Sequence, residues 1–290
     1  VTPPLAHPLT DILIVEQLEP LLFRGRLRTA MPIRAFGGEV SGQAVLAAGR
    51  TVPPARHIHS AHAHFLRPGR ADAEVTYKVD DTRDGGSYTT RRVEAIQQGE
   101  VILLLTASFH VGDASPLSHQ VPRLASAPVE SVLDPDESFV GDEDMLDWVT
   151  WLRDRQAVDL RFPQPPVRAR VRDGRPTDPR QSLWLRASDP LPDDALVHAA
   201  AFTYLADLLL LSTGLGPHAR SFPDGALMFA TLDHTVWFHE EARADQWFLH
   251  DMEGTWSGHG RSLCRGNIFD RVGRLTASTM QEGVVRPLTR

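Results

Sequence analysis

Two stretches of this chain lie over each other without a gap. Residues 87–108, SYTTRRVEAIQQGEVILLLTAS, align with residues 257–278, SGHGRSLCRGNIFDRVGRLTAS, at an offset of 170, and the closing Leu-Thr-Ala-Ser coincides. At an offset of 172, HSAHAHFLRP from His59 lies over TLDHTVWFHE from Thr231, matching a His and an aromatic. Each half also places a helix-like segment ahead of these strands, Glu39 to Gly49 in the first and Ala195 to Gly214 in the second. Order and spacing agree over most of each half, which is the signature of a duplicated α+β unit. The units are read as residues 1–112 and 150–290, joined by an arm over 113–149.

Strand periodicity gives the unit a shape. Ala73 to Val79, Tyr88 to Ile96 and Val101 to Val111 are β-type runs separated by Asp-Gly-Gly and Gln-Gly-Glu, which predicts an antiparallel meander. The second helical segment, Val197 to Leu211, is apolar almost all round, as a helix enclosed by a sheet should be. The arm reads differently. It carries prolines at 116, 122, 128 and 135 and gathers acids in DPDESFVGDEDMLD, which predicts a connector with a solvated acidic face.

Composition narrows the function classes. The net charge of −7 argues against nucleic acid or an anionic membrane surface as the main partner. Cys264 is the only cysteine, so no disulfide can form within the chain and a reducing, cytoplasmic setting is expected. The N-terminal stretch lacks the basic and apolar regions of a leader, and the sequence is read as having no membrane-spanning run.

Within the apolar segment, Asp207 is the only charge from Ala199 to Gly216. Burying an ionised carboxylate without partners costs several kcal/mol, so partners or a function are required. The alternative, a solvent-facing helix edge, is disfavoured by leucines on both sides. His57, His59, His62 and His64 share strand faces in pairs, but no CxxC, HExxH or carboxylate cluster accompanies them, so no metal site is expected. No serine has the flanking glycines of G-x-S-x-G, and there is no G-x-G-x-x-G or phosphate-binding loop. Cys264 lies in a β-type run without an evident His partner and reads as a packing thiol.

Several separate motifs then recur in order: LFRGRL, FGGEVSGQAVLAAG, HSAHAHFLRPG and TRDGGSYTTRRVEAIQQGE in the first half, and PDDALVHAAAFTYLAD, ATLDHTVWFH and LTASTMQEGVVR in the second. With these motifs the chain resembles the type II acyl-CoA thioesterases. The resemblance implies an α+β double hotdog, two repeats of an antiparallel sheet each wrapped around a central helix. It also implies a homodimer or higher oligomer and hydrolysis of fatty acyl-CoA without a cofactor. By its motifs Asp207 falls in Tyr-x-x-Asp, Thr231 opens Thr-x-Asp-His, and Gln281 belongs to Thr-x-Gln-Glu-Gly. These three are the residues the family uses to orient the attacking water. An amide such as Gln281 can donate and accept hydrogen bonds without competing for the proton, so it can hold a water beside a carboxylate. The first half departs from this pattern: by the repeat, His59 stands where Thr231 stands and Val111 falls near Gln281, so one working site per chain is expected. Competing readings are a hotdog acyl-CoA hydratase or dehydratase, for which His234 offers a histidine but not the wider motif, and a non-catalytic acyl-CoA binding protein.

Overall fold

Alternation dictates the strands. In the fifth strand, Tyr88–Gln97, the buried residues are Thr89, Arg91, Val93, Ala95 and Gln97, with the intervening side chains turned outward. The computed structural model describes residues 7–29, 34–71, 73–113 and 115–288, so residues 1–6, part of the stretch read for a leader, lie outside it. The first half contains α1 (Leu9–Leu13), β1 (Val15–Glu19), β2 (Leu22–Arg26), α2 (Gly37–Gly49), β3 (His57–Phe65), β4 (Glu74–Asp84), β5 (Tyr88–Gln97) and β6 (Glu100–His110). The arm and second half contain α3 (Pro135–Ser138), α4 (Glu143–Gln156), β7 (Val158–Arg161), α5 (Val167–Arg170), β8 (Arg180–Ala187), α6 (Ala195–Ala206), β9 (Leu227–Phe238), β10 (Phe248–Gly258), β11 (Arg261–Asp270) and β12 (Leu275–Pro287).

The strands form one antiparallel sheet of 12, in the order β1-β2-β4-β5-β6-β3-β9-β12-β11-β10-β8-β7. The order reads alike from either end, and the halves meet where β3 pairs with β9, His62 opposite Thr235. The sheet wraps both central helices, α2 and α6, which lie antiparallel. A Cβ on Gly38 would stand 2.6 Å from the carbonyl of Tyr204, and one on Gly42 3.0 Å from that of Ala200. Only glycine permits this approach, so the paired glycines of FGGEVSGQ set the interhelical spacing.

Strand pairing corrects the register of the repeat. Ala61 faces Ala107 as His234 faces Gln281, so the equivalences are 61 to 234 and 107 to 281, offsets of 173 and 174. The local bulge is conserved too: His59 is the extra residue in β3 and Leu232 the extra residue in β9. Burial agrees, because Ile102, Leu103, Leu105 and Ala107 are buried at the places of Thr276, Ala277, Thr279 and Gln281. The coincident Leu-Thr-Ala-Ser is therefore four residues out of register. Ile58 replaces Thr231 and Ala107 replaces Gln281; His59 and Val111 do not.

Two further expectations change. The apolar segment does not continue as one helix: α6 ends at Ala206, Leu209 takes a positive φ of 64°, and a 3-10 stretch, Leu211–His218, follows. Residues Ala195–His218 together do reach the length and apolarity of a membrane span, which corrects the expectation that no run comes close. Most of that stretch is buried inside the fold, where the sheet encloses it. The arm is also no free connector. Helix α4 crosses the 149/150 boundary and buries Met145, Trp148, Val149 and Leu152. The acids are pinned by arginines of the second half, Asp142 by Arg172 and Asp144 by Arg168. Val129 and Val132 pack on Trp184, Leu249 and Phe269 on the outer face of the sheet. Buried valines contribute about 1.5–3 kcal/mol each against about 0–1 for an exposed ion pair, so apolar contact holds the arm.

Candidate active site

Asp207, read from sequence as lying within a longer helix, is the C-cap residue of α6, one step beyond its last residue, Ala206. The residue is only 7% exposed. The antiparallel packing brings the first turn of α2 against it, where a helix's leading N–H groups have no partners within the helix. The N-cap of α2, Phe36, supplies no side-chain cap. A Cβ on Gly37 would lie 3.0 Å from Asp207 Oδ2 and 3.1 Å from the Phe65 ring. Helix α2 therefore meets the carboxylate with bare backbone. Sequence reasoning assigned the first half no part in this chemistry; the paired glycines Gly37 and Gly38 were the available signal.

The other two residues arrive from adjacent strands. Gln281 on β12 and Thr231 on β9 face the helices, the bulge at Leu232 restoring Thr231 to the inner face. The Gln281 amide nitrogen donates to Asp207 Oδ1 and, at 2.8 Å, to Thr231 Oγ1. Both N–H bonds of Gln281 are thus committed, while its carbonyl Oε1 is buried without a partner. All three residues singled out from the sequence meet at one point.

Burial is the largest influence on Asp207 and pushes its carboxyl up to about 6, against the backbone N–H of Gly38 and the side chains of Gln281 and Thr231, which favour the anion. A second buried acid behaves otherwise. Glu39 is pushed to about 7 by burial, but it accepts from the backbone N–H of Arg28 at 2.6 Å and from the N–H and hydroxyl of Thr29 at 2.9 and 2.6 Å. Glu39 is thereby spent on holding the chain ahead of α2. Neighbouring His234, opposite Gln281 in the sheet, is pushed down to about 4 by burial and neither ring nitrogen has a partner, so it is neutral.

Asp207, Thr231 and Gln281 open on a cavity of about 290 Å³ whose walls come from both halves, with Phe36, Phe65 and Ile102 facing Leu209, Phe222 and Phe229. The wall is apolar apart from the three site residues, Ser212 and the arginines Arg34 and Arg67. Such a slot suits an alkyl chain with a reactive polar group at one end. The strand histidines do not converge: His59 bonds Ser108 at 2.8 Å, His57 meets Glu241 at 3.3 Å and His62 packs edge-on against Trp237. Among the described residues no group of three His, Cys, Asp or Glu is arranged to hold a metal. Cys264 is buried and its thiol is pushed up to about 11, which suits a packing role.

The profile of the family described as acyl-CoA thioesterase matches residues 151–284, and that of the acyl-CoA thioesterase N-terminal domain matches residues 27–110. Rat acyl-coenzyme A thioesterase 8 is 33% identical over 96% of this chain and 88% of its own length. Acyl-CoA thioesterase 2 of Haemophilus influenzae is 31% identical, over 96% of each chain. Among solved structures, the acyl-CoA thioesterase II TesB2 of Mycobacterium marinum is 36% identical with a TM-score of 0.78, covering 97% of this chain and 99% of its own. A hotdog-fold protein of Alicyclobacillus acidocaldarius, at 20% identity and a TM-score of 0.76, shares the fold. Two joined hotdogs, an apolar slot at their seam and these relatives lead to one conclusion: the chain belongs to the type II acyl-CoA thioesterases and is a thioester hydrolase.

Proposed function

We propose that the chain hydrolyses fatty acyl-CoA with a water held by Asp207, Thr231 and Gln281. The observation that carries this reading is the arrangement of the Gln281 amide, whose nitrogen bridges Asp207 and Thr231 while Oε1 is left free to accept from a water. The attacking water donates one hydrogen to Asp207 and the other to Gln281 Oε1, so its lone pair is aimed at the thioester carbonyl. As the oxygen–carbon bond forms, the proton passes to Asp207, and the carbonyl oxygen gains negative charge near the first turn of α2, whose N–H groups and dipole stabilise it. The carbon–sulfur bond then breaks, and the proton held by Asp207 goes to the departing thiolate. A carboxyl near 6 suits this work, ionised at neutral pH yet basic enough to take a proton. Thr231 and Gln281 act by orientation.

The apolar walls favour a fatty acyl group over a small or charged one. The hydratase reading requires an Asp–His pair, but His234 is neutral and has no polar partner. A homo-oligomer and a cytoplasmic setting complete the reading. Asp207→Asn keeps the shape of the side chain and removes the base, so thiol release from palmitoyl-CoA should fall by about 10²–10⁴-fold with little change in KM. Near-native turnover in a folded variant would refute the assignment.

A further inference from the structure

The opposite end of the helix pair holds a second cavity, of about 450 Å³, where α2 ends and α6 begins. The two-fold relation of the halves makes it the counterpart of the substrate slot, with the chemistry removed. Arg50 is the C-cap of α2 as Asp207 is of α6, while Ile58 and Ala107 stand for Thr231 and Gln281. The N-terminus of α6 is closed by its own N-cap, Asp194, which accepts from the N–H of Leu196 at 2.9 Å. The carboxylate, the hydroxyl and the orienting amide of the first slot have no counterpart there, and no bare helix N-terminus remains.

The cavity itself persists. Val52, Ile58, Phe109, Leu196, Phe202 and Phe238 give it apolar walls. Its volume falls within the about 300–1,000 Å³ of small-molecule pockets. Apolar surface held open to water is unfavourable, and a bound alkyl chain relieves it. Arg56 also lines the cavity; its Nη2 donates to the carbonyls of Gly85 and Gly86 at 2.7 and 2.9 Å, but its Nη1 has no partner. Acids and histidines line it as well: Asp194 is engaged in the helix cap, Glu241 faces His57, His59 and His239 bond Ser108 and Ser278, His110 faces Asp113, and Glu240 completes the polar rim. We propose that this cavity is a second, non-catalytic site for a fatty-acyl chain, with Arg56 meeting the anionic head of the ligand. The head is the carboxylate of a free fatty acid or a phosphate of CoA; both present the same chemistry to a guanidinium. The choice of an acyl ligand rests on the thioesterase reading of the first slot.

Calorimetry of the full chain with dodecanoate, and separately with the non-hydrolysable thioether S-dodecyl-CoA, tests the proposal. For at least one ligand, two molecules should bind per chain, one for each cavity. Val52→Trp, at a half-buried turn, and Ala199→Phe, on α6, both fill the second cavity and should each reduce the count to one. The kcat/KM for acyl-CoA should change by less than about twofold, because the sites are distant. Which ligand fills the second site identifies the head group. A single molecule per chain for both ligands, or an unchanged count in both folded variants, overturns the proposal. Absence of thiol release by the native chain would instead refute the functional reading, whatever the count.

Discussion

The two ends of the α2–α6 pair share one backbone plan, and at the places of the site residues they differ in three side chains and one cap. At one end Asp207, Thr231 and Gln281 meet an uncapped helix start; at the other Arg50, Ile58 and Ala107 meet a helix start closed by Asp194. Backbone geometry is common to both, down to the matched bulges at His59 and Leu232. The fold therefore supplies a slot at each end, and the proposed mechanism places chemistry only at the end where a buried carboxylate meets a hydroxyl and an amide. Stability separates the two buried acids. Each raised carboxyl costs folding free energy at neutral pH; Glu39 offsets it with three hydrogen bonds to the chain ahead of α2, whereas the proposed role of Asp207 is to activate water.

Giving the working end the side chain of its twin is the sharpest way to test this comparison. Gln281→Ala should lower turnover by about 10²-fold, less than removal of the base, because the base itself stays in place. The same variant loses a donor that favours the Asp207 anion, so the Asp207 carboxyl should rise above about 6. Since the carboxylate is the active form, the acid limb of kcat/KM should move to higher pH, which a pH–rate profile would show. An unmoved limb would mean that Gln281 does not touch the titrating group.

Thr231→Val, which keeps the volume and removes the hydroxyl, should cost about tenfold. Combined with Asp207→Asn it should cost almost nothing further, since both act on one water. Additive losses in steady-state assays would assign Thr231 to a different step.

The smallest effect concerns stability. Asp207 is raised from an ordinary 3.8 to about 6 in the folded chain, so the fold binds this proton more tightly than the unfolded chain does. Its contribution is fully present below 3.8 and is lost as pH rises through about 6. Asparagine avoids that loss, so Asp207→Asn should be more stable than the native chain at pH above 6, by at most ~3 kcal/mol. The advantage should vanish near pH 4, as paired thermal melts would reveal. A variant less stable at both pH values would contradict the burial argument.

The convergence of Asp207, Thr231 and Gln281 was legible because each sits in a motif that keeps its neighbours. The two-unit architecture was legible from the repeat, but its register was not. The coincident Leu-Thr-Ala-Ser outweighed the alternation of buried residues, which alone separates an offset of 170 from 173 in β5. The end of α6 was hidden for a physical reason: Leu209 adopts a left-handed conformation that its residue type does not advertise, inside a run of leucines. Gly37 and Gly38 signalled a close approach, but what approaches was not legible in either half alone, since it depends on one unit's helix docking against the other's.

The most direct test of a water held at one end is a single turnover in ¹⁸O-water with enzyme in excess over palmitoyl-CoA. The account predicts one labelled oxygen in the released palmitate and none in the peptide that carries Asp207. Label in Asp207 after that first turnover would show that its carboxylate attacks the thioester itself, and would contradict the mechanism.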